Sequence, residues 1–483
     1  YPRYKTQFRS EERPYMCTCH KISPNQQLVA VKGSPQQLLA LCTAYINNGE
    51  KQALTDDIRH QIITANERMA GDALRVLGVA YAEQELHEEK YCEQLTWLGL
   101  VGMIDPLRTG MTDLIHTFHD AGIHTMMITG DQTATAYAIG KQLKLSDSEP
   151  MQILDSTRLD KLDPELLKGL VDKVHVFARV SPAHKLKIVQ ALQKTGKVVA
   201  MTGDGVNDGP ALKAADIGVA MGGATTDVAR SVSDVVLEDD NLHTMVEAVH
   251  QGRTIYNDIR KTIHYLISTN LSEIEVMLAS VTLGSGQTLN PMQLLWINLV
   301  TDIFPGLALS MEKAEPDIMQ RPPRDPTEEI IRRKDLYRMA RESAIITGGS
   351  LTSYAYGALR YGTGNQANTL LFNTLTIAQL LHAYSTRSDH YSIFSKERLP
   401  RNKQLDLAVG GSLALQIVAM TVPGLRNLLG STPIGLLDML VVAGGVSAPF
   451  FINEWIKETS RNNKHNLQQK NTEQSAPLAD KES

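Results

Sequence analysis

The chain has 483 residues, of which 42% are hydrophobic and 21% charged, enough for two or three domains with buried cores. A net charge of −5 at pH 7 argues against a nucleic-acid partner, which would demand clustered positive charge. Its four cysteines, at 17, 19, 42 and 92, fall in the polar first part; with no second pair beside Cys17-x-Cys19, they read as reduced cytosolic thiols rather than a zinc site.

Residues 1–104 mix short strand-like runs, Leu28–Val31 and Leu74–Ala80, with an amphipathic helical stretch near 55–70. Lys32 stands out there, because Gly33 and Pro35 set a turn that aims its ammonium at a polyphosphate. From 105 to about 245 the pattern becomes strand, loop, helix, repeated. Thr125–Ile128 runs into Thr129-Gly130-Asp131 and a helix over 133–143, and Val174–Ala178 runs into Arg179-Val-Ser-Pro and a helix bearing Lys185. Val198–Met201 runs into a glycine-spaced acidic loop that contains Asp204, Asn207 and Asp208, and short strands recur at 217–220 and 235–236. This alternation predicts a doubly wound parallel sheet with its chemistry at the C-terminal ends of the strands. Gly203 and Gly205 let backbone approach a phosphate closely, and two acids four residues apart can hold a hard divalent cation.

Six membrane spans are predicted, at roughly 262–284, 292–311, 340–360, 369–386, 405–422 and 434–455. The segments 253–261, 312–339, 387–404 and 457–464 are rich in Arg and Lys, whereas the loops near 285–291, 361–368 and 423–433 hold only Arg426. By the positive-inside rule, both chain ends then lie in the cytosol. Asn270 and Glu273 share one helix face, and Asn298, Thr301 and Asp302 share another. A carboxylate in the bilayer costs about 2.5–3.5 kcal/mol on insertion scales, so Glu273 and Asp302 imply a buried function. Pro305 breaks the helix ladder, and the freed carbonyls can add oxygens suited to a hard cation such as Ca²⁺. Residues 461–483 read as a disordered polar tail.

The string Met201-Thr-Gly-Asp-Gly-Val-Asn-Asp-Gly-Pro-Ala-Leu212 resembles the hinge motif of P-type cation-transporting ATPases. Further motifs follow the order of that family: Lys32-Gly-Ser-Pro35, Asp105-Pro-Leu-Arg108, Thr129-Gly-Asp131, Arg179-Val-Ser-Pro-Ala-His-Lys185 and Asn298-Leu-Val-Thr-Asp302. The resemblance covers roughly residues 8–455. It implies part of an α+β nucleotide-binding domain over 1–104, an α/β haloacid-dehalogenase-like phosphorylation domain over 105–250 and an all-α six-span bundle over 251–460, ahead of the tail. It also implies an integral membrane protein whose first two domains face the cytosol.

Under the resemblance ATP is bound by Lys32, Gly33 and Arg75, with Phe8 in the adenine-stacking position, Arg13 where a lysine usually stands, and Arg179 and Asn207 nearby. Ser10 departs from the family, which often has arginine there. Asp204 would bind Mg²⁺, and Asp208 would share that metal through water or orient the loop. Lys185 would place a fixed positive charge on the transferring phosphoryl group, with Thr129, Gly130 and Asp131 forming the phosphate-side loop. Asn270, Glu273, Asn298, Thr301, Asp302 and Gln379 would hold the transported cation. Asn298 matches calcium pumps, whereas Gln379, where reticulum-type calcium pumps carry glutamate, matches sodium–potassium pumps. The alternatives are therefore a sodium/potassium- or proton-type pump, or a phosphatase-like regulatory relic. The chain opens on Tyr1 and contains no Asp-Lys-Thr-Gly-Thr motif, so it is expected to be a fragment, or a split subunit, complemented by the missing N-terminal portion.

Overall fold

The computed structural model describes residues 1–483 except 11–12, 72–73, 87–91, 104–105, 147–149, 223–226, 240, 285, 390, 393, 396–398 and 476–483, with backbone alone over 462–475. The chain forms two compact units, Tyr1–Thr244 and Met245–Ser483.

The first unit begins with a seven-stranded sheet. Its order is Arg3–Gln7, Tyr15–Ser23, Gln26–Gly33, Arg75–Glu85, Leu95–Met103, Cys42–Asn47, Glu50–Ala53. Pairing is antiparallel except between Cys42–Asn47 and Leu95–Met103. Strand alternation sends Cys17, Cys19, Val29, Val31, Ala80 and Ala82 to one face. There they pack with Leu38 and Leu39 of the helix Pro35–Ala40 and with Ile62 and Ile63 of the helix Asp56–Gly71. The cysteine expectation needs correcting: Cys17 and Cys92 are joined as a disulfide, so only Cys19 and Cys42 are free thiols, both buried. Burial pushes the Cys42 thiol up to about 11, which keeps it protonated and inert. The expected hinge starts at Asp105, outside the described residues.

The rest of this unit alternates strands and helices, with every strand pairing parallel. One three-stranded set is Met127–Ile128, Val176–Ala178, Ile153–Asp155, and the other is Ala200–Gly203, Ile217–Met221, Val235–Leu237. Ile128 and Val199 pack into the cores of both sets. The strand Ile153–Asp155 is an addition to the sequence reading.

The second unit is helical. Helices lie at each of the six ranges read from the sequence: His243–Thr282, Pro291–Thr301 followed by Ile303–Leu309, Arg333–Tyr361, Asn365–Ser385, Lys403–Thr421 and Leu436–Ser475. The last continues into the segment expected to be disordered from 461, and residues 476–483 lie outside the described residues. Among the described residues, three helices are long and apolar enough to cross a membrane: Pro291–Leu309, Lys403–Thr421 and Leu436–Arg461. Leu371, Phe372, Leu375, Ile297 and Val276 form the centre of the larger core.

A charged cluster sits beside the first long helix, before its predicted span. Lys261 Nζ lies 3.7 Å from Asp258 Oδ1 and 3.2 Å from Glu315 Oε1, while Arg321 Nη2 lies 2.5 Å from Glu315 Oε2. Burial pushes the Asp258 carboxyl up to about 7; Lys261 opposes this, and Glu312 and Glu315 add to it. The folded form therefore holds this proton more tightly than the unfolded chain does, whose carboxyl titrates near about 3.9. The associated stability is present in full below that value and is lost as pH rises towards about 7. Asp258→Asn, which stays neutral, is expected to flatten the pH dependence of Tm between about pH 4 and about pH 7, measured by thermal unfolding in detergent.

Candidate functional site

Three groups of the residues singled out by sequence can be followed in the structure. The first lies at the ends of the parallel strands. The Thr129 N–H donates to the Phe177 carbonyl at 2.9 Å, Val180 N–H to the Thr129 carbonyl at 3.1 Å, and Arg179 N–H to the Asp131 carbonyl at 2.9 Å. The Thr129 hydroxyl donates to Asp131 Oδ2 at 2.9 Å and accepts from the Asp131 N–H at 3.1 Å. Arg179 is held at φ +56°, a left-handed conformation uncommon for a residue with a side chain. Gly130, Asp131 and Arg179 are exposed.

Lys185 gets its place from a helix start. Ser181 and His184 cap each other reciprocally, Pro182 fixes the first turn, and His184 Nε2 is anchored 2.7 Å from Asp160 Oδ1. Lys185 then reaches Asp208, with Nζ 2.5 Å from Oδ1, and Asp208 Oδ2 accepts from the Gly205 N–H at 3.4 Å. Asp208 is buried, whereas Asp204 and Asn207 are exposed on the same loop. The two acids thus stand in different environments: one is committed to Lys185, and the other is open to solvent. Gly203 is required for this arrangement, since a Cβ there would lie 2.5 Å from Asp208 Cβ. Gly203→Ala is expected to lower stability by about 1–3 kcal/mol, the usual cost of overpacking, read as a fall in Tm.

A second group shares one end and one face of the seven-stranded sheet. Tyr15 pairs with Gly33, Gly33 with Gly78 and Gln7 with Cys17, so Phe8, Lys32 and the start of the Arg75 strand come to the same end. Gly33 and Gly78 point to the helix-covered face, so alternation turns Lys32 and Arg75 to the opposite, uncovered face. Phe8 is 72% exposed, just past Gln7, and Arg13 Nη2 donates to its carbonyl at 3.4 Å. Gly33 cannot be enlarged, as a Cβ would lie 2.4 Å from Tyr15 Cβ.

The third group is in the helical unit. Asp302 interrupts one helix path, between Pro291–Thr301 and Ile303–Leu309. Its Oδ2 accepts from Asn270 Nδ2 at 3.2 Å, and its Oδ1 accepts from the hydroxyls of Thr301 at 3.2 Å and Thr269 at 3.4 Å. From the Asn365–Ser385 helix, Gln379 Nε2 donates to Glu273 Oε1 at 3.3 Å, the Thr269 carbonyl at 3.0 Å and Ser272 Oγ at 3.1 Å. Glu273, Thr269, Asn270, Asp302 and Gln379 thus form one polar chain across three helices. Two buried acceptors, Asn298 Oδ1 and Gln379 Oε1, have no hydrogen-bond partner. Such oxygens are costly unless something electropositive meets them.

Pro305 removes the hydrogen bond to the Thr301 carbonyl, as the sequence led one to expect. That carbonyl is not left open, however, because the buried Tyr265 hydroxyl donates to it at 2.9 Å. Tyr265, Thr269 and Ser272 were missed by sequence reading; their signal was only their helical spacing from Asn270 and Glu273. Glu275 turns away and accepts from the hydroxyls of Ser343 at 2.8 Å and Thr347 at 2.9 Å.

Both ends of the chain resemble known proteins. Residues 1–110 match the family model for the P-type ATPase cytoplasmic domain N, and residues 286–459 match that for the cation transporting ATPase C-terminus. Calcium-transporting ATPase 1 of Bacillus cereus is 38% identical over 472 residues, covering 93% of this chain and 52% of the relative. Calcium-transporting ATPase of Bacillus subtilis is 40% identical over 447 residues, covering 91% and 50%. The human calcium-transporting ATPase type 2C member 1 is 34% identical over 456 residues, covering 94% and 49%. The chain spans about half the length of the curated relatives it matches. Matched at both ends and similar throughout to relatives of one kind, the chain belongs to the P-type cation-transporting ATPases.

Proposed function

We propose that this chain carries the nucleotide-binding, phosphoryl-handling and ion-binding parts of an ATP-driven Ca²⁺ pump. The observation that carries the reading is the polar chain from Glu273 through Gln379, Thr269 and Asn270 to Asp302, beside the orphaned oxygens of Asn298 and Gln379. Two carboxylates and several neutral oxygens suit a hard cation as cargo. The names of the similar proteins, calcium-transporting ATPases, favour Ca²⁺ over Na⁺ or K⁺.

In this reading all six helical paths cross the bilayer, the first unit faces the cytosol, and the parallel strands form a haloacid-dehalogenase-like domain after the nucleotide domain that ends near residue 104. The acceptor aspartate is supplied from outside these 483 residues. Phe8 stacks on adenine, and Lys32 and Arg75 hold the phosphates on the uncovered sheet face, with Arg13, Gly33, Arg179 and Asn207 supporting the site. Mg²⁺ fits at Asp204, an exposed carboxylate with room for the waters this ion retains, and when bound it would offset phosphoryl charge. Asp208 positions Lys185, whose ammonium stabilises the phosphoryl group, and Thr129 and the Gly130 amide donate to its oxygens. Thr301 and Gln379 complete the cation site with Asn270, Glu273, Asn298 and Asp302.

The test is ion uptake by vesicles containing the full-length protein, measured separately with Ca²⁺, Mn²⁺, Na⁺ and K⁺. Uptake and ATP hydrolysis that respond to Ca²⁺ support the reading; hydrolysis driven by Na⁺ and indifferent to Ca²⁺ overturns the cargo. In the same assay, Lys32→Ala is expected to raise the half-saturating ATP concentration more than it lowers the maximal rate, because it removes binding common to ground and transition states.

A further inference from the structure

A second polar cluster in the helical unit involves none of the residues assigned to the Ca²⁺ site. His264 lies on the helix His243–Thr282, Glu342 on Arg333–Tyr361 and His382 on Asn365–Ser385, and all three are buried. One ligand atom from each lies within 4.8 Å of the others, and among the described residues this is the one group of three or more such side chains with that geometry. The two oxygens of Glu342 divide their work. Oε1 accepts from Arg338 Nε at 2.8 Å, while Oε2 lies 2.6 Å from His264 Nε2 and 3.6 Å from His382 Nε2. His382 Nε2 is buried, faces this oxygen and has no hydrogen-bond partner. A polar nitrogen left so costs free energy that a ligand could recover.

We propose that His264, Glu342 and His382 form a site for a divalent transition-metal cation of the Zn²⁺ or Co²⁺ kind. Two imidazole nitrogens and one carboxylate oxygen are the donors such ions prefer, whereas Ca²⁺ and Mg²⁺ take all-oxygen sets. Tetrahedral ligands at about 2.0–2.1 Å from a metal are roughly 3.3 Å from one another. The His264–Glu342 contact must therefore open and the His382–Glu342 contact close, each by less than about 1 Å. Arg338 and Arg341, whose Nη2 is 3.9 Å from Glu342 Oε1, oppose a dication. Asp389 offsets them: it binds Arg338 at 2.8 Å and lies 4.0 Å from His264 Nδ1, on the far side of the ring from the site. Because the three ligands sit on three helices, bound metal would pin those helices together.

The test is Co²⁺ titration of the whole chain in nanodiscs, purified without a histidine tag and read by visible absorption. Expected are the intense bands of tetrahedral cobalt at one ion per chain, without sulfur charge-transfer, displaced by Zn²⁺ and not by Ca²⁺. His382→Ala is expected to weaken Co²⁺ binding by more than the about 10–100-fold that losing a group merely supporting a ligand costs. His382 Nε2 makes no hydrogen bond, so the substitution breaks none there, and a thermal melt verifies folding; Glu342→Gln serves as the second variant. Absent tetrahedral bands, or bands kept in His382→Ala and lost in Cys19→Ser, overturn the proposal. Neither outcome touches the Ca²⁺ reading, which is measured by transport.

Discussion

Asp302→Asn is expected to abolish Ca²⁺-activated ATP hydrolysis by the full-length protein. Asp302 is the junction of the polar chain: it receives Asn270, Thr269 and Thr301 at the point where the helix is broken. Replacement by asparagine removes a full negative charge from the proposed cation site, which would have to strip water from a dication. Even a group that only supports a ligand costs about 10–100-fold in affinity, so loss of the ligand should exceed about 100-fold. Gln379→Ala should do less, since the side chain is neutral and the carboxylate of Glu273 remains. The measurement is Ca²⁺ dependence of phosphoenzyme formation; equal effects of the two substitutions would contradict a site centred on Asp302.

Asp204→Asn and Asp208→Asn are expected to fail in different ways, although the residues lie on one loop. Asp204 is exposed, so its replacement should leave Tm nearly unchanged and suppress phosphorylation by removing the proposed Mg²⁺ ligand. Asp208 is buried against Lys185 and the Gly205 amide. Breaking a buried pair costs about 3–5 kcal/mol, because the surviving charge loses its partner, so Asp208→Asn should lower Tm as well as rate. Rate loss of about 10²–10³ is expected where Lys185 no longer points at the proposed phosphoryl position, by analogy with removal of a preorganised donor. Rates of ATP-driven phosphorylation alongside thermal melts separate the two. Normal turnover by Asp204→Asn would end the metal assignment.

Much of this was legible in the sequence because it is local. Helical periodicity and apolar length put helices at all six expected ranges, and strand–loop–helix alternation predicted parallel pairing, both being near-neighbour properties of the chain. The face shared by Asn270 and Glu273 follows from helix geometry alone. Glycine at 203 could be read as a close approach, but not what it approaches: Asp208 is known as the neighbour only once the loop has turned.

What needed the fold were contacts between residues far apart in the chain. Gln379 meets Glu273, Tyr265 occupies the carbonyl freed by Pro305, and Cys17 joins Cys92 rather than resting as a thiol. Sequence patterning reports which face of an element is apolar; it says nothing of which element lies against that face. His264, Glu342 and His382 were for that reason three unrelated polar residues in three helices until packing brought them together. Periodicity determined the elements and the faces on which Glu273 and Asp302 stand. Tertiary packing decided their partners, since an ion pair or hydrogen bond depends on ångström-scale distances that only the assembled helices and sheets define.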